Sequence, residues 1–360
     1  MDIWYNEQIG VQHARLPLGR KTALLENRLY AGDNLPILES LVEEAGIAGK
    51  VKLVYIDPPF GTGQDFRTSD EQGSTISRPK NGTTAYSDRL VGDAYLEFLL
   101  ARLVRLHRIL ANDGSIYVHI DTKVGHFVKI LLDRVFGQQH FRSDITRVKC
   151  NPKNFPRQSY GNIKDIILFY TKSKRAVWNY PCEPYTQEQT ERLFHKIDKQ
   201  GRRYTTTPVH APGETQNGPT GRPWRDMKPP PGRHWRYSPD VLERLEKKGL
   251  IEWSSTGNPR KIIYADEAQK AGRCMQDIWT FKDPPRPLYP TEKNLDMLKV
   301  IIEASSNPGD LVLDCFAGSG TTLLAAQQLN RRWIGIDSSE MAIQICESRL
   351  GVKAVQYGTS

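Results

Sequence analysis

The sequence predicts an α/β fold on a mostly parallel sheet, interrupted by an inserted module, and three observations predict it. Strand and helix patterns alternate from Asn27 to Lys172 and resume near residue 292. Two runs of β-prone apolar residues, Leu53-Val-Tyr-Ile and Leu311-Val-Leu, each stop at an acid and a rigid or glycine-rich turn. The stretch between the two halves differs in composition. A buried parallel strand that stops at an acid puts polar groups at its carboxyl end, where open α/β sheets bind ligands.

In chain order the first half predicts a strand at 28–32, a helix at 34–46, a strand at 51–56 and a helix at 92–111. The helix from Asp93 carries apolar residues at helical spacing, and Asn112-Asp113-Gly114 reads as its C-cap and turn. A strand at 115–120, a helix at 123–136 and strands at 142–149 and 165–171 complete this half. The second half predicts a helix near 292–305, a strand at 311–315, a helix at 321–329, a strand at 333–337 and a helix at 339–349. The expected division is therefore 1–173, 174–285 and 286–360, the first and last being halves of one core.

The middle segment holds five of the seven tryptophans, 13 of the 23 prolines and 20 Lys/Arg against 14 Asp/Glu, a surplus of six out of the net +9. Runs such as Gly218-Pro-Thr-Gly-Arg222-Pro-Trp224-Arg225 and Lys228-Pro-Pro-Pro-Gly-Arg233-His-Trp235-Arg236 read as loops, because proline lacks the N–H and fixes φ. Only Pro239 to Gly249 reads as helix. The interleaved arginines and tryptophans suit stacking and phosphate contact; a small tryptophan core with solvated arginines is the other reading.

Composition excludes several classes. Hydrophobic content of 38% and charged content of 25% describe a soluble globular chain. No apolar run reaches about 18 residues and no basic leader opens the chain, so secretion and membrane insertion are not expected. Cys150, Cys182, Cys274, Cys315 and Cys346 are far apart in sequence, which argues against a metal site or a disulfide framework and fits a reducing cytoplasm. The net charge points to a polyanionic partner.

The two turns carry the chemistry. Asp57 and the carbonyl of Pro58 offer two acceptors, Pro58 and Pro59 stiffen the turn, and Phe60 supplies an aromatic face. That set suits a planar exocyclic amine, a poor nucleophile whose lone pair is delocalised, held in line with a methyl donor. In the second motif, Asp314-Cys-Phe316-Ala-Gly318-Ser319-Gly320-Thr321-Thr322, the glycines permit a tight turn and close cofactor approach, and the hydroxyls stand at a helix start. Asp337 ends the next strand 19 residues after Gly318, the separation expected of an acid that binds ribose hydroxyls. A dinucleotide fingerprint would carry a third glycine where this helix has Ala or Leu, which favours S-adenosylmethionine.

Together these motifs resemble the Asp-Pro-Pro-aromatic and Phe-x-Gly-x-Gly signatures of the DNA amino-methyltransferases, in the permuted order of the β-type members and over residues 27 to 350. The segment from Ile56 to Phe66 is especially similar to the modification subunits of type III restriction systems and their solitary relatives. The resemblance implies a Rossmann-like methyltransferase sheet with an inserted target-recognition module, and transfer from S-adenosylmethionine to N6 of a flipped adenine in double-stranded DNA. It implies catalytic Asp57, Pro58, Pro59 and Phe60, with Phe60 standing where tyrosine is more usual. It assigns Asp33 or Asn34 to the cofactor adenine, Thr291 and Lys293 to its carboxylate, Asp314 to its ammonium, and Phe316 to covering it; Gly318, Ser319, Gly320, Thr321, Thr322 and Asp337 complete the cofactor set. Arg222, Arg225, Arg233, Arg236, Trp224 and Trp235 are the expected DNA contacts, and no metal is expected. A homodimer and a restriction subunit are the further partners considered.

Cytosine-N4 is the nearest alternative target, followed by an RNA base or a protein amide, and then by a silent nucleic-acid-binding paralogue. Pro181-Cys182 resembles the nucleophile of cytosine-C5 enzymes but lies outside a strand-to-loop context. His119, His126, His210 and His234 read as structural or solvent-facing.

Overall fold

The computed structural model describes residues 26–43, 46–59, 64–67, 84–88, 92–152, 154–156, 158–290 and 292–357. Its chain divides into two compact units, one of Met1–Pro181 with Gln276–Ser360 and one of Cys182–Met275.

The first unit is built on a nine-stranded sheet, ordered Ile278–Thr280, Phe141–Val148, Lys164–Thr171, Leu110–Ile120, Val51–Ile56, Leu311–Asp314, Arg332–Asp337, Arg28–Ala31, Val355–Gln356. Lys164–Thr171 alone runs antiparallel to both neighbours; the other pairings are parallel. Every residue of Val51–Ile56 except Lys52 is buried, and Leu311–Asp314 is buried throughout, as strands covered on both faces must be. The helices Asn34–Glu43, Asp93–Ile109 and Gly125–Phe136 pack in sequence as one layer, and Leu295–Ser305, Thr321–Gln328 and Glu340–Leu350 as another. This is the α/β Rossmann-like architecture.

The connections decide where a ligand can sit. After Val51–Ile56 the chain passes through Asp93–Ile109 to the adjacent strand on one side. After Leu311–Asp314 it passes through Thr321–Gln328 to the adjacent strand on the other. Those two strands are neighbours, with Leu53 opposite Val312, so the sheet's switch point lies between them. Asp57 and Asp314 stand at their carboxyl ends, at the crevice such folds use for ligands.

Two local expectations are corrected. The helix from Asp93 stops at Ile109, and its strand begins at Leu110 with a register shift that takes up the residues before Ser115. Asn112-Asp113-Gly114 is thus a bulge, pinned by Lys52 and Asp113 at 2.5 Å. Gly114 is needed there for space, since a Cβ would lie 2.9 Å from Leu110 and 3.0 Å from the Val51 carbonyl. The inserted unit is also narrower than 174–285. Trp178 stacks on Phe169 of the core sheet at 5.7 Å, and Trp279 is buried in the strand that pairs with Phe141–Val148.

The second unit has a four-stranded antiparallel sheet ordered Ile251–Trp253, Pro259–Tyr264, Arg203–Pro208, Lys196–Ile197. Two smaller pairs accompany it, His210–Pro212 with Arg233–Trp235 and Cys182–Glu183 with Arg273–Cys274. The expected helix is present as Pro239–Lys247, joined by Gln187–Leu193 and Ala265–Ala271, whose seven residues each are too short to show a periodic stripe. Trp224 and Trp235, 2% and 1% exposed, form its core with Val209, Leu242 and Ile251. Their indole N–H groups are used internally, by Glu243 at 3.1 Å and by the Arg222 carbonyl at 3.0 Å.

Candidate active site

Strand Val51–Ile56 delivers Asp57 to the switch point, and the turn preceding helix Leu295–Ser305 delivers Lys293. Their side chains form an ion pair through Asp57 Oδ2, with Lys293 9% and Asp57 15% exposed at the side chain. The other oxygen, Asp57 Oδ1, is buried and accepts no hydrogen bond among the described residues. A buried carboxylate oxygen without a partner costs free energy of about 1–3 kcal/mol or more, so this oxygen is able to accept from a donor brought to the crevice. Pro58 is buried and Pro59 half-buried beside it; Phe60 lies outside the described residues.

Lys293 is held by its neighbour. Glu292, buried at 8% exposure, accepts the Leu288 N–H at 2.7 Å and pairs with Arg349 at 2.8 Å. Arg349 also donates to the Ser319 carbonyl at 3.1 Å, to Ser319 Oγ at 3.2 Å and to Thr321 Oγ1 at 3.3 Å. One guanidinium thus fastens the glycine turn to the segment that carries Lys293. Asn294 caps the following helix by accepting the Met297 N–H, which fixes where that segment ends. Thr291 lies outside the described residues.

The glycine turn needs its glycines for backbone reasons. Gly318 and Gly320 have φ of 51° and 75°, in the left-handed region, and a Cβ on Gly320 would meet Cys346 Sγ at 2.8 Å. Asp337 ties the turn to the next strand, accepting the Gly318 N–H at 2.8 Å and the Ser339 N–H at 2.8 Å. Both of its oxygens therefore already hold backbone donors, and burial pushes its carboxyl up.

Asp314 is 2% exposed and accepts the Phe316 N–H at 3.0 Å. Burial pushes its carboxyl up to about 7 against the Thr322 and Phe316 hydrogen bonds, and the charges of Asp57 and Asp337 push the same way. Among the described residues no cation pairs with it. On the far side Asn34 donates to the Cys315 carbonyl at 2.6 Å and accepts from Arg102 Nε at 2.5 Å. Arg102 also holds Asp33 at 2.9 Å and lies over the Phe98 ring at 3.5 Å, with Phe316 tilted against Phe98 at 6.1 Å. Asp33, Asn34, Asp314 and Phe316 are thereby gathered around the same strand end.

Glu292, Arg349, Arg102 and a buried chain beside Asp57 were not foreseen from sequence. Tyr55, two residues before Asp57 on its strand, donates to His119 Nδ1 at 2.8 Å, and His119 Nε2 donates to Asp165 at 3.2 Å. Asp165 pairs with Arg147 at 3.3 Å and Lys149 at 2.5 Å. These are long-range tertiary contacts with no local spacing signal; His119 was visible only as a residue near a strand end. The second unit redistributes the expected DNA contacts. Trp224 and Trp235 are core residues and offer no face to a base in this structure, and Arg225 is taken by Glu243 at 3.0 Å. Arg222, Arg233 and Arg236 are exposed. No cluster of three metal-binding side chains, and no helix long and apolar enough to cross a membrane, occurs among the described residues.

The N6/N4 DNA methylase family model matches residues 51–348. The chain is 40% identical over 341 residues to the type II methyltransferase M.EcaI of Enterobacter cloacae, covering 93% of this chain and 72% of that one. It is 26% identical to the type II methyltransferase M.KpnI of Klebsiella pneumoniae, over 84% of this chain and 76% of that one. It is also 26% identical to the StyLTI Mod subunit, from a type III restriction-modification enzyme of Salmonella typhimurium, but spans only 50% of that subunit's length. The crystal structure of an M1.HpyAVI-SAM complex superposes with a TM-score of 0.47 at 19% identity, covering 90% of this chain and 99% of that one. With a family model spanning most of its length and a 40% identical relative along nearly all of it, this chain belongs to the N6/N4 DNA methylase family.

Proposed function

We propose that the chain is a site-specific DNA methyltransferase that transfers a methyl group from S-adenosylmethionine to the N6 amine of a flipped-out adenine. The observation that carries this reading is Asp57 Oδ1, a buried acceptor at the switch point without a partner among the described residues. Lys293 anchors Oδ2, which fixes the direction of Oδ1. Oδ1 and the Pro58 carbonyl accept from the two amine hydrogens, draw the nitrogen towards a pyramidal shape and aim its lone pair. Adenine is preferred because an Asp-first motif is commoner among adenine enzymes of this family. The base leaves the duplex at a cost of a few kcal/mol, which stacking on Phe60 partly offsets.

The donor set fits S-adenosylmethionine. Asp314 is a buried acid with no cation beside it among the described residues, as a site for a cationic ammonium group should be. Asp33 or Asn34 is assigned to the adenine end, Phe316 to cover, Lys293 and Thr291 to the carboxylate, and the turn from Gly318 to Thr322 with Asp337 to the remainder. When bound, the cofactor supplies a methyl group activated by a sulfonium centre. Expression in a host free of adenine methylation, followed by modified-base sequencing, tests the function. N6-methyladenine at one short recurring sequence is expected; an unmodified genome from a well-expressed, folded protein overturns the reading.

The raised Asp314 pKa fixes a pH dependence. Its folded value of about 7 lies above the unfolded value near 3.9, so its contribution to stability is full below about pH 4 and is lost as pH rises through 7. Pairing with an ammonium group needs the ionised form. Cofactor affinity should therefore rise with pH to about 7 and level off, with a proton released on binding in the acid limb. Titration calorimetry in buffers of different ionisation enthalpy, at about pH 6 and 8, reads that proton. Equal proton release at both values, or an Asp314→Asn variant with the wild-type pH profile, contradicts the assignment.

Sequence reading is proposed for the unit Cys182–Met275. Arg233 and Arg236, both exposed, lie either side of the buried Trp235, in and just after the strand paired with His210–Pro212, and together with Arg260 they help push the His210 imidazole down, after its burial. Replacing Arg222, Arg233 and Arg236 together with Ala should lower the slope of log affinity against log salt by roughly 0.9 for each phosphate no longer neutralised. An unchanged slope in filter-binding titrations would remove these residues from the DNA face.

A further inference from the structure

Cys182 and Cys274, 92 positions apart in sequence, are direct partners in an antiparallel pair. Their sulfurs lie 4.0 Å apart and both residues are exposed. Directly opposed residues in such a pair have Cα separations of about 4.5–5.5 Å, within the range a disulfide spans, and closing to an S–S bond of about 2.05 Å needs only side-chain rotation and a small approach. Gly272, at φ 71°, lets the returning strand come this close, because a Cβ there would lie 2.9 Å from Cys182 Cβ. The other three thiols differ. Cys315 and Cys346 are buried, Cys346 donates to the Gly318 carbonyl at 3.2 Å, and Cys150 is half-buried.

From this geometry we infer that Cys182 and Cys274 are a thiol modification site, forming a reversible cross-strand disulfide by exchange with a low-molecular-weight disulfide such as oxidised glutathione. One cysteine loses its proton and attacks a sulfur of the small disulfide, forming a mixed disulfide and releasing one thiolate. The second cysteine then loses its proton and attacks the first cysteine's sulfur, forming the internal bond and releasing a second thiolate. Both thiolates take up the protons the cysteines lost. The two cysteines are oxidised by two electrons and the small disulfide is reduced to two thiols. The neighbour serves as the resolving thiol, which is why an adduct on either residue is short-lived. The two residues are the first and the penultimate of the inserted unit, so the bond ties that unit's ends into one covalent ring. Exposed disulfides are the readily reduced ones, so a dithiol reverses it.

The test uses the reduced full-length protein, treated with oxidised glutathione near pH 8 and analysed by intact mass and non-reducing peptide mapping. The expected product has lost two hydrogens, carries a Cys182–Cys274 linked peptide, and returns to the starting mass with dithiothreitol. In a Cys182→Ser variant, Cys274 should instead keep a glutathione adduct. Stable adducts on both cysteines of the wild-type protein, recovery of both as free thiols, or linkage through Cys150 would each overturn the inference. The wild-type measurement stands alone if the variant fails to fold.

Discussion

Replacing Asp57 with Ala should lower methyl transfer by about 10³-fold, roughly 4 kcal/mol of barrier, with S-adenosylmethionine affinity expected to stay within a few-fold. The size follows from what is removed, since Oδ1 is a buried acceptor at the switch point without a partner among the described residues. Cofactor affinity should be largely spared because, apart from Lys293, the proposed cofactor contacts do not involve Asp57 and lie on Asp314, the glycine turn and the Asp33–Asn34 segment. Removing the carboxylate also releases Lys293 from its ion pair, so a modest gain in cofactor affinity is consistent with the account. Asp57→Asn keeps one acceptor oxygen and loses the ion pair, and its rate should fall between those of Ala and the wild type. Single-turnover assays with saturating cofactor separate the two effects. Near-normal turnover in Asp57→Ala would rule out direct in-line transfer at this motif.

Asp165→Ala should cost about 3–5 kcal/mol of stability, the range for removing one partner of a buried ion pair. Asp165 is 2% exposed and serves His119, Arg147 and Lys149 at once. Without it Arg147, fully buried, keeps among the described residues Asp283 at 2.5 Å and the Phe281 carbonyl at 2.8 Å. The pH dependence follows from the same contacts. Burial alone would raise the Asp165 carboxyl, but the His119 and Lys149 contacts outweigh it and hold the group well below the usual carboxylate range. Its contribution is therefore present above the unfolded value near 3.9 and lost as pH falls further. Urea unfolding should show the variant destabilised at neutral pH and the difference shrinking in strong acid. A difference under about 1 kcal/mol at neutral pH would mean that the network is solvated or redundant.

What the sequence made legible was whatever local pattern encodes. Two runs of buried strand residues ending in acids located the switch point, and positive-φ glycines at Gly318 and Gly320 follow directly from a turn of that shape. Lys293 was found through its segment, though its partner was expected to be the cofactor carboxylate, and the ion pair with Asp57 was not foreseen. Arg102, Arg349 and Asp165 were missed because each pairs across the fold with side chains 16 to 69 positions away, where no period or spacing records a contact. The alternation of Trp224, Arg225, Trp235 and Arg236 is ambiguous for a physical reason. Adjacent residues on an extended segment point to opposite sides, which places tryptophan inward and arginine outward equally well in a small core and in a binding face. Burial decided for the core, which is also why the arginines and not the rings remain as proposed DNA contacts. The Asn112-Asp113-Gly114 reading failed similarly, since a bulge and a turn favour the same residues.

The most direct measurement is the identity of the methylated nucleoside. Purified protein is incubated with mixed-sequence duplex DNA and methyl-labelled S-adenosylmethionine, and the product is digested to nucleosides and resolved by mass spectrometry. Label in N6-methyldeoxyadenosine, absent with Asp57→Ala, is the predicted result; label confined to N4-methyldeoxycytidine, or N6 label that persists in Asp57→Ala, would contradict it.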